Sequence, residues 1–498
     1  MDCRRNNGKR APVQWLPACA DIANQTLVRR EATMKILVFF DHDIMIRHFL
    51  HSQVFDELVQ RHDVVFVFPE KRHKRVKIDI SALDLGGAPT RHLTVSVERL
   101  KIWQGLMLAD TLRWRPGSHF AAMRRVHRSA AGLKATLLYS VLALPGLLQV
   151  FHAWSHRRIK TMPYRDMDAL LDQERPDAII HPSVLAGVFI NDLVVASRAR
   201  SIPFVVIMNS WDNPSTKRAM TGQPDWLLVW GPQTQVHAVK FMNMPQERVI
   251  CFGAAQFDLY RNPPRIDRIE FCRRHNIDPA AQILLYAGSS KGTDEFSHLR
   301  MLDEAIERGE VGNTVVVYRP HPWGDGGKGG ARIFDHSWRN VRIEQTMRGY
   351  LERVKAGSLG ITTPDYCDTH DLLSSVDAVV SPLSTIIIEG ALHGKPVLCF
   401  LPDEEDKRSH YTLALPLTHF DDFFAEPCFL TARGDAAFVP AVRSLLNKVG
   451  DDNYSQALVE ACNHFVSTFD RPYGVRLAHF VEGVAKSRTD RIDQVQNG

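Results

Sequence analysis

The 498-residue sequence lacks the cysteine patterns of disulfide-rich and zinc-binding proteins. Its eight cysteines are scattered along the chain, and no two of them form a Cys-x-x-Cys pair. Structural zinc sites and disulfide frameworks concentrate cysteines at short, regular spacings, so both are disfavoured here. We therefore expect reduced thiols and a cytoplasmic protein.

The N-terminal region also lacks the uninterrupted apolar segment of a secretory signal. A basic stretch is followed by residues 11–20, which end in a cleavage-like Ala-Cys-Ala triplet. Two prolines and Gln14 interrupt this segment, which argues against a signal peptide. We predict that residues 1–33 form a disordered extension.

Acidic residues are almost absent from one part of the chain. The net charge is only +5, but residues 101–160 contain ten Lys or Arg residues and a single acid, Asp110, hence a local charge of +9. A local basic surface implies a local anionic partner. The interleaved residues are mostly aliphatic and no nucleic-acid recognition module is visible, so we expect no nucleic-acid partner.

The same segment contains an apolar stretch, residues 135–154, that is about long enough to cross a bilayer. Pro145 and Gly146 interrupt its middle, and basic residues flank both of its ends. Three interpretations stay open: a pair of core helices, a membrane span, or binding at the membrane surface. In the last of these, anionic lipid headgroups would be bound by Arg124, Arg125, Arg128, Arg157 and Arg158.

Apolar runs alternate with helical-period stretches along the rest of the chain, as in the βα units of a parallel sheet. With 45% hydrophobic residues and this length, two domains are expected. We predict two doubly wound α/β domains, at residues 34–262 and 263–465, with a helical insert at about 101–160 and a C-terminal helix and tail at 466–498. The predicted strands are residues 35–40, 63–68, 177–181, 204–208, 226–230, 249–253, 283–288, 314–318, 341–345, 377–381 and 396–400.

Ligands of such sheets bind at the carboxyl ends of the strands. After the strand at 377–381, the sequence predicts a turn, an N-cap at Thr385, a helix from Ile386 to His393, and Gly394 as the residue that ends it. Glu389 lies four residues after Thr385, one too many for a capping box, so it should face the cleft. The hydroxyls of Ser384 and Thr385 suit a phosphate and Glu389 suits a ribose, although an ordinary capped helix is the alternative.

Two further strand ends favour the same chemistry. Ser289, Ser290 and Lys291 follow the strand at 283–288, where small residues and a cation suit a phosphate. Arg319 and His321 follow the next strand, held in direction by flanking prolines. We predict that all five bind a nucleotide donor.

Residues 204–402 resemble the nucleotide-binding part of GT-B glycosyltransferases, in particular capsule polysaccharide transferases and CDP-glycerol glycerophosphotransferases. The resemblance is carried by an Arg-x-His-Pro turn at 319–322, the Ser384-Thr385 pair with Glu389, and Gly-Lys-Pro at 394–396. It implies that His321, Ser384 and Thr385 hold the donor diphosphate and that Glu389 faces the ribose.

The phosphotransferases of that group have a Trp-His-Gly-x-x-x-Lys element, with the His as presumed base, where this chain has Trp211, Asp212, Asn213 and Lys217. Asp212 replaces the His, which favours sugar transfer, and a carboxylate can also remove a proton from an acceptor hydroxyl. Asp212 could instead cap its loop. Asp41 and Asp43, after the first strand, are rival bases.

No Asp-x-Asp follows a strand in an expected donor position and no histidines are paired at ligand spacing, so we expect neither a metal nor another cofactor. The predicted function is transfer of a sugar from a nucleotide-activated donor to a surface glycan or lipid-linked acceptor. CDP-polyol phosphotransfer and nucleotide-sugar epimerisation are the alternatives on the same fold, and a membrane-bound scaffold without turnover is the non-enzymatic one.

Overall fold

The structure is a computed structural model. It describes residues 33–70, 80–183, 185, 187–217, 220–290, 292–322, 330–356, 365–405 and 409–496. The predictions for residues 1–32 and for Lys291 lie outside these ranges.

The first lobe is built on a seven-stranded parallel sheet with the strand order β3-β2-β1-β4-β5-β6-β7. Its central strands are almost entirely buried, as expected for a sheet covered on both faces. The strands are β1 Lys35–Phe39, β2 Asp63–Pro69, β3 Thr90–Leu93, β4 Ala178–Ser183, β5 Phe204–Met208, β6 Trp226–Val229 and β7 Val249–Cys251.

The second lobe contains a six-stranded parallel sheet with the order β10-β9-β8-β11-β12-β13. Both sheets reverse their strand order in the middle, between β1 and β4 and between β8 and β11, which is the doubly wound arrangement. The strands are β8 Gln282–Ala287, β9 Thr314–Arg319, β10 Val341–Ile343, β11 Ala378–Ser381, β12 Val397–Leu401 and β13 Leu430–Arg433.

Helices cover both sheets and form the insert of the first lobe. Those before β8 are α1 Asp43–Met45, α2 Asp56–Arg61, α3 Val97–Leu112, α4 Ser118–Ala131, α5 Leu133–Leu142, α6 Leu147–Thr161, α7 Arg165–Glu174, α8 Ile190–Ala199, α9 Asn213–Thr216, α10 Pro232–Met242 and α11 Arg268–His275. The later ones are α12 Glu295–Glu307, α13 Gly330–Asp335, α14 Gln345–Lys355, α15 Tyr366–Ser375, α16 Ile386–Leu392, α17 His410–Ala414, α18 His419–Ala425, α19 Phe438–Leu446, α20 Asp452–Cys462 and α21 Tyr473–Gln496. Residues Ile46–Leu50 form a π-helical turn directly after α1.

The last helix returns to the first lobe. Tyr473, Leu477 and Val481 of α21 are buried in the same apolar cluster as Ile36 of β1 and Phe66 of β2. The chain therefore passes between the lobes twice, once before β8 and once before α21.

The two connecting segments are tied to each other. The backbone N–H of Tyr473 donates to the carboxylate of Asp258 at 2.8 Å, and the guanidinium of Arg261 donates to the carbonyl oxygen of Asp470 at 3.0 Å. Both links between the lobes consequently form one compact joint.

The predicted fold class is confirmed, since all eleven predicted strands are present in two parallel, doubly wound sheets. The structure adds β3 and β13, which the sequence analysis did not predict. The division of the chain near residue 262 stays a prediction.

Candidate active site

The site residues predicted from the sequence follow strands at or beside the places where each sheet reverses its strand order. Asp41 and Asp43 follow β1 in the first lobe, whereas Ser289, His321 and Ser384 follow β8, β9 and β11 in the second. This is the edge at which doubly wound sheets bind their ligands.

A direct hydrogen bond joins the two lobes at this edge. The indole Nε1–H of Trp211, in the loop after β5, donates to Thr385 Oγ1 at 3.2 Å. Trp211 is buried and its ring also packs edge-on against His419 and Phe420 of α18. The loop that carries Asp212 is therefore held against the predicted donor site.

Asp212 is half-buried at the start of α9, and its carboxylate accepts two hydroxyl donors. Ser210 Oγ lies 2.5 Å from one oxygen and Thr216 Oγ1 lies 2.9 Å from the other. Its carbonyl oxygen accepts the backbone N–H of Thr216 at 2.9 Å. Asp212 thus supports its own loop, as the alternative interpretation proposed, while it remains partly open to solvent.

The hydroxyl pair lies at an unusual point of the backbone. Leu383, directly before Ser384, has a φ of +34°, and non-glycine residues in this region cost free energy that functional sites often store. Thr385 is the N-cap of α16 and Gly394, at φ +66°, follows its C-cap. Because α16 has seven residues, the hydroxyls rather than the helix dipole are the main polar feature here.

Glu389 does not complete a capping box. Its Oε2 accepts the hydroxyl of Tyr260 at 2.6 Å, and Tyr260 lies in the segment between the two sheets. Burial raises the pKa of Glu389, and the bond from Tyr260 and the charges of Arg319 and Arg47 oppose that increase. The carboxylate therefore lies among donors and cations at the edge of the sheet.

Three further residues belong to this cluster and were not predicted from the sequence: Arg47, Tyr260 and Tyr366. The guanidinium carbon of Arg47 lies 4.0 Å from the ring centroid of Tyr366, a cation–π contact between the π-helical turn of the first lobe and α15 of the second. Single π-helical turns are often associated with functional sites, but this turn is visible only in the structure and not in the sequence of residues 46–50.

Arg319 brings a second cation to the same cluster. Its guanidinium donates to Thr369 Oγ1 at 2.9 Å, and burial lowers its pKa while the charges of Glu344 and Glu389 counter that effect. Arg47 and Arg319 thus approach Glu389 from opposite lobes, an arrangement suited to a diphosphate beside a carboxylate.

The turn after β8 is held by the start of α12. The backbone N–H of Ser289 is not exposed, because it donates to the buried carboxylate of Glu295 at 2.7 Å. A Cβ at Gly288 would lie 2.6 Å from Glu295 Oε2 and 3.0 Å from the backbone nitrogen of His321, so glycine is required for the two turns to approach. Ser290 is exposed beside this turn, and His321 is half-buried.

The two rival bases have unequal positions. Asp41 is completely buried and accepts the backbone N–H of Val188 at 2.5 Å, with His181 Nε2 at 3.3 Å from the same oxygen. It anchors the loop after β4, and its burial argues against proton transfer to an acceptor. Asp43 is half-buried in the first turn of α1.

The five arginines predicted to bind lipid headgroups lie on α4 and α6. Arg125, Arg128, Arg157 and Arg158 are exposed, whereas Arg124 donates to the carbonyl oxygen of Arg115 at 3.1 Å. In the described ranges no single helix meets the length and apolarity of a membrane span, although α5 and α6 meet them together and are bent by 101°. Nor do the described residues contain a group of three or more His, Cys, Asp or Glu arranged to hold a metal ion.

Comparison with known proteins identifies the fold. No family model matches the sequence, and no curated protein matches it significantly. A Listeria monocytogenes structure assigned as a UDP-N-acetylglucosamine 2-epimerase is similar with a TM-score of 0.51 and 12% identity, over 91% of this chain and 98% of the other. The chain has the GT-B fold.

Two other similar structures have TM-scores below 0.5 and add nothing to this assignment. One is the UDP-GlcNAc 2-epimerase of Neisseria meningitidis, with 14% identity and a TM-score of 0.44 over 91% of this chain and 100% of that one. The other is a glycosyltransferase of Rickettsia africae, with 10% identity and a TM-score of 0.46 over 92% of this chain and 99% of that one. At these identities the likeness concerns the GT-B fold alone.

Proposed function

We propose that this protein is a glycosyltransferase that moves a sugar from a nucleotide-activated donor to a surface glycan or lipid-linked acceptor. The observation that carries the proposal is the hydrogen bond from Trp211 to Thr385, which holds the loop of the candidate base Asp212 against the candidate donor site. An acceptor hydroxyl beside Asp212 would then face the sugar of a donor bound at Ser384 and Thr385. Such positioning of two reactants is a large part of group-transfer catalysis.

The chemistry assigned to each residue follows from its surroundings. Arg47, Arg319 and His321 would stabilise the departing nucleoside diphosphate, with Ser384 and Thr385 donating to its oxygens. Glu389 would accept the ribose hydroxyls, and Asp212 would remove the acceptor proton. Neither a metal nor another cofactor takes part in this scheme, so we expect full activity in excess EDTA. A loss of activity that Mg²⁺ restores would contradict metal-independent transfer.

Thermal unfolding with a panel of nucleotides tests the donor class. A ligand that binds only the folded state raises its stability in proportion to RT ln(1 + [L]/Kd). UDP-N-acetylglucosamine is the first probe, because the Listeria structure is named for it, followed by UDP, CDP, CMP and GDP and their sugars. Absence of stabilisation by every nucleotide and nucleotide sugar would exclude the proposed donor site.

Epimerisation of a nucleotide sugar is a second candidate, favoured by the name of the Listeria structure. An epimerase converts its substrate without an acceptor, whereas a transferase releases nucleotide only as a new glycosidic bond forms. Incubating the stabilising nucleotide sugar alone and analysing it by NMR separates the two. A new epimer would replace our proposal.

CDP-polyol phosphotransfer is the third candidate, from the resemblance of the Trp211 loop. Its product contains a new phosphodiester, which ³¹P NMR of the reaction detects. A product without a new phosphodiester supports sugar transfer. Nucleotide binding with no turnover of any sugar would instead indicate a scaffold.

A further inference from the structure

The helical insert of the first lobe carries an apolar surface that nothing in the described chain covers. Helix α5 has an apolar sequence and yet contains no buried residue. Together with the start of α6 it exposes eight large apolar side chains, with fractional exposures from 44% to 76%. These are Leu133, Leu137, Leu138, Val141, Leu144, Leu147, Val150 and Trp154, which we call the apolar ridge.

The other side of this hairpin is firmly attached to the lobe. Ile159 of α6 packs with Trp103 and Leu106 of α3 in one buried cluster. Tyr139 of α5 packs over Gly105, where a Cβ would lie only 2.5 Å from the tyrosine hydroxyl. The ridge is therefore the outward side of a fixed element, and the hypothesis of a core helix pair is wrong for α5.

The shape of the ridge follows from residues 144–146. Pro145 cannot continue α5, and Gly146 has a φ of +82°, which glycine adopts without strain. The two helices consequently bend by 101°, and Leu144 and Leu147 lie at the corner.

Cations lie at both ends of the ridge. Lys134 is exposed, three and four residues before Leu137 and Leu138, and so lies on the same side of α5. Arg157 and Arg158 are exposed three and four residues after Trp154 and continue the side of α6 that carries Val150. The sequence contains no Asp or Glu from Thr111 to Arg165.

We propose that the apolar ridge inserts into the surface of an anionic phospholipid bilayer, with Lys134, Arg157 and Arg158 bound to the headgroups. An apolar surface with cations at both ends matches a bilayer surface, in which apolar acyl chains lie beneath charged headgroups. Tryptophan is enriched at the boundary between these two regions. A second copy of the chain fits less well. A symmetric pair would place the basic ends of each ridge near those of its partner, and no Asp or Glu between Thr111 and Arg165 could compensate.

Flotation with vesicles tests the proposal. The protein is expected to bind phosphatidylcholine vesicles with about one third phosphatidylglycerol at least about 100-fold more tightly than pure phosphatidylcholine, and the preference should shrink with added salt. The triple variant Leu137→Gln, Val141→Gln, Leu144→Gln should lose about 100-fold or more of the affinity for the anionic vesicles. The triple variant Lys134→Gln, Arg157→Gln, Arg158→Gln should lose about 100-fold there and little on neutral vesicles.

Matched control variants replace exposed apolar residues or exposed cations on helices outside the insert. Val236→Gln with Ile269→Gln replaces exposed apolar residues of α10 and α11, and Arg300→Gln with Arg348→Gln replaces exposed cations of α12 and α14. Both pairs should bind vesicles as the wild type does. Circular dichroism and nucleotide-induced thermal shifts verify that every variant is folded, and nucleotide binding by the ridge variants distinguishes failure here from failure of the proposed function.

Trp154 provides an independent readout. Brominated anionic lipids should quench part of the tryptophan fluorescence, and Trp154→Phe should remove most of that quenching while Trp114→Phe, a control in the turn before α4, should retain it. Failure of the wild type to bind anionic vesicles overturns the proposal. So does concentration-dependent dimerisation without lipid that the apolar variant abolishes, because the ridge would then be an interface between copies.

Discussion

Asp212 has two candidate roles, a general base and a support of its own loop. Asn keeps the size of the side chain, accepts one of the Ser210 and Thr216 hydroxyls and donates its amide N–H to the other, but it cannot accept a proton. If Asp212 is the base, Asp212→Asn should lower kcat by roughly 10² to 10⁴ with little change in donor Kd. If it only supports the loop, the variant should be nearly as active as the wild type.

The kcat and donor Kd of Asp43→Asn and Asp41→Asn should be measured together with those of Asp212→Asn. We expect Asp43→Asn to retain most of its activity. Near-normal turnover of Asp212→Asn together with collapse of Asp43→Asn would move the base to the loop after β1. Since Asp41 anchors the Val188 backbone, a loss in Asp41→Asn should be accompanied by a lower melting temperature.

The Ser384 and Thr385 hydroxyls should contribute to donor binding, and the Thr385 hydroxyl in addition accepts the indole N–H of Trp211. Each charge-assisted hydrogen bond lost in the double variant Ser384→Ala, Thr385→Ala should weaken nucleotide binding by roughly 1.5 to 3 kcal/mol. Calorimetric titration measures that loss. Ser487→Ala, which removes a hydroxyl from α21, is the control, and an unchanged Kd in the double variant would place the nucleotide elsewhere.

Site residues could be predicted from the sequence when they directly follow a strand. Ser384, Arg319 and Asp212 follow apolar runs in motifs with recognisable spacing, so the edge of the sheets could be inferred. Arg47 and Tyr366 belong to helical segments of different lobes and meet only through tertiary packing. Glu295 was missed because nothing in a helical carboxylate predicts that it will accept the Ser289 amide.

At the scale of elements, two glycines of α-helices should respond to the same substitution in opposite ways. A Cβ at Gly390 of α16 would lie 2.9 Å from Val379 of β11, so Gly390→Ala should destabilise the fold by about 1 to 3 kcal/mol through overpacking. Gly483 of α21 is exposed with no atom within 4 Å of such a Cβ, and Gly483→Ala should stabilise the fold by about 0.5 to 1 kcal/mol. Urea unfolding measures both; equal signs would contradict the packing described for α16.

Strand prediction succeeded for the buried strands and failed for two edge strands. The strands β3 and β13 have the sequences Thr-Arg-His-Leu and Leu-Thr-Ala-Arg and lie at sheet edges, partly in solvent. Neither requires a continuous apolar run, because only one neighbouring strand covers it. Their presence follows from tertiary pairing with β2 and β12 rather than from local sequence.

The whole molecule should lose stability as the pH falls. Burial lowers the pKa of His48 to about 3 and that of each of His119, His237, His298 and His393 to about 4. These groups stay neutral in the folded state and bind protons on unfolding, so their contribution is present above about pH 6.5 and is lost as the pH falls towards 4.

Urea unfolding between about pH 7.5 and pH 5 measures this loss of stability. Each such histidine should lower the free energy of unfolding by up to about 1.4 kcal/mol for each pH unit of acidification. The variant His298→Gln, which keeps an acceptor for the Tyr286 hydroxyl, should show a shallower dependence. A free energy of unfolding that stays constant over this interval would show that the buried rings are not held neutral.

The joint formed by the two connecting segments limits where the two lobes can pivot. Because Asp258 and Tyr473 are tied at that joint, any opening of the lobes would be a swing about it, with a displacement that grows with distance from the pivot. The Trp211–Thr385 hydrogen bond and the packing of Met123 in α4 on Leu417 after α17 must separate in such a swing. If the first lobe rests on a bilayer as proposed, the Asp212 loop would keep a constant height above the lipid during such a swing, and only the second lobe would change its distance from the membrane.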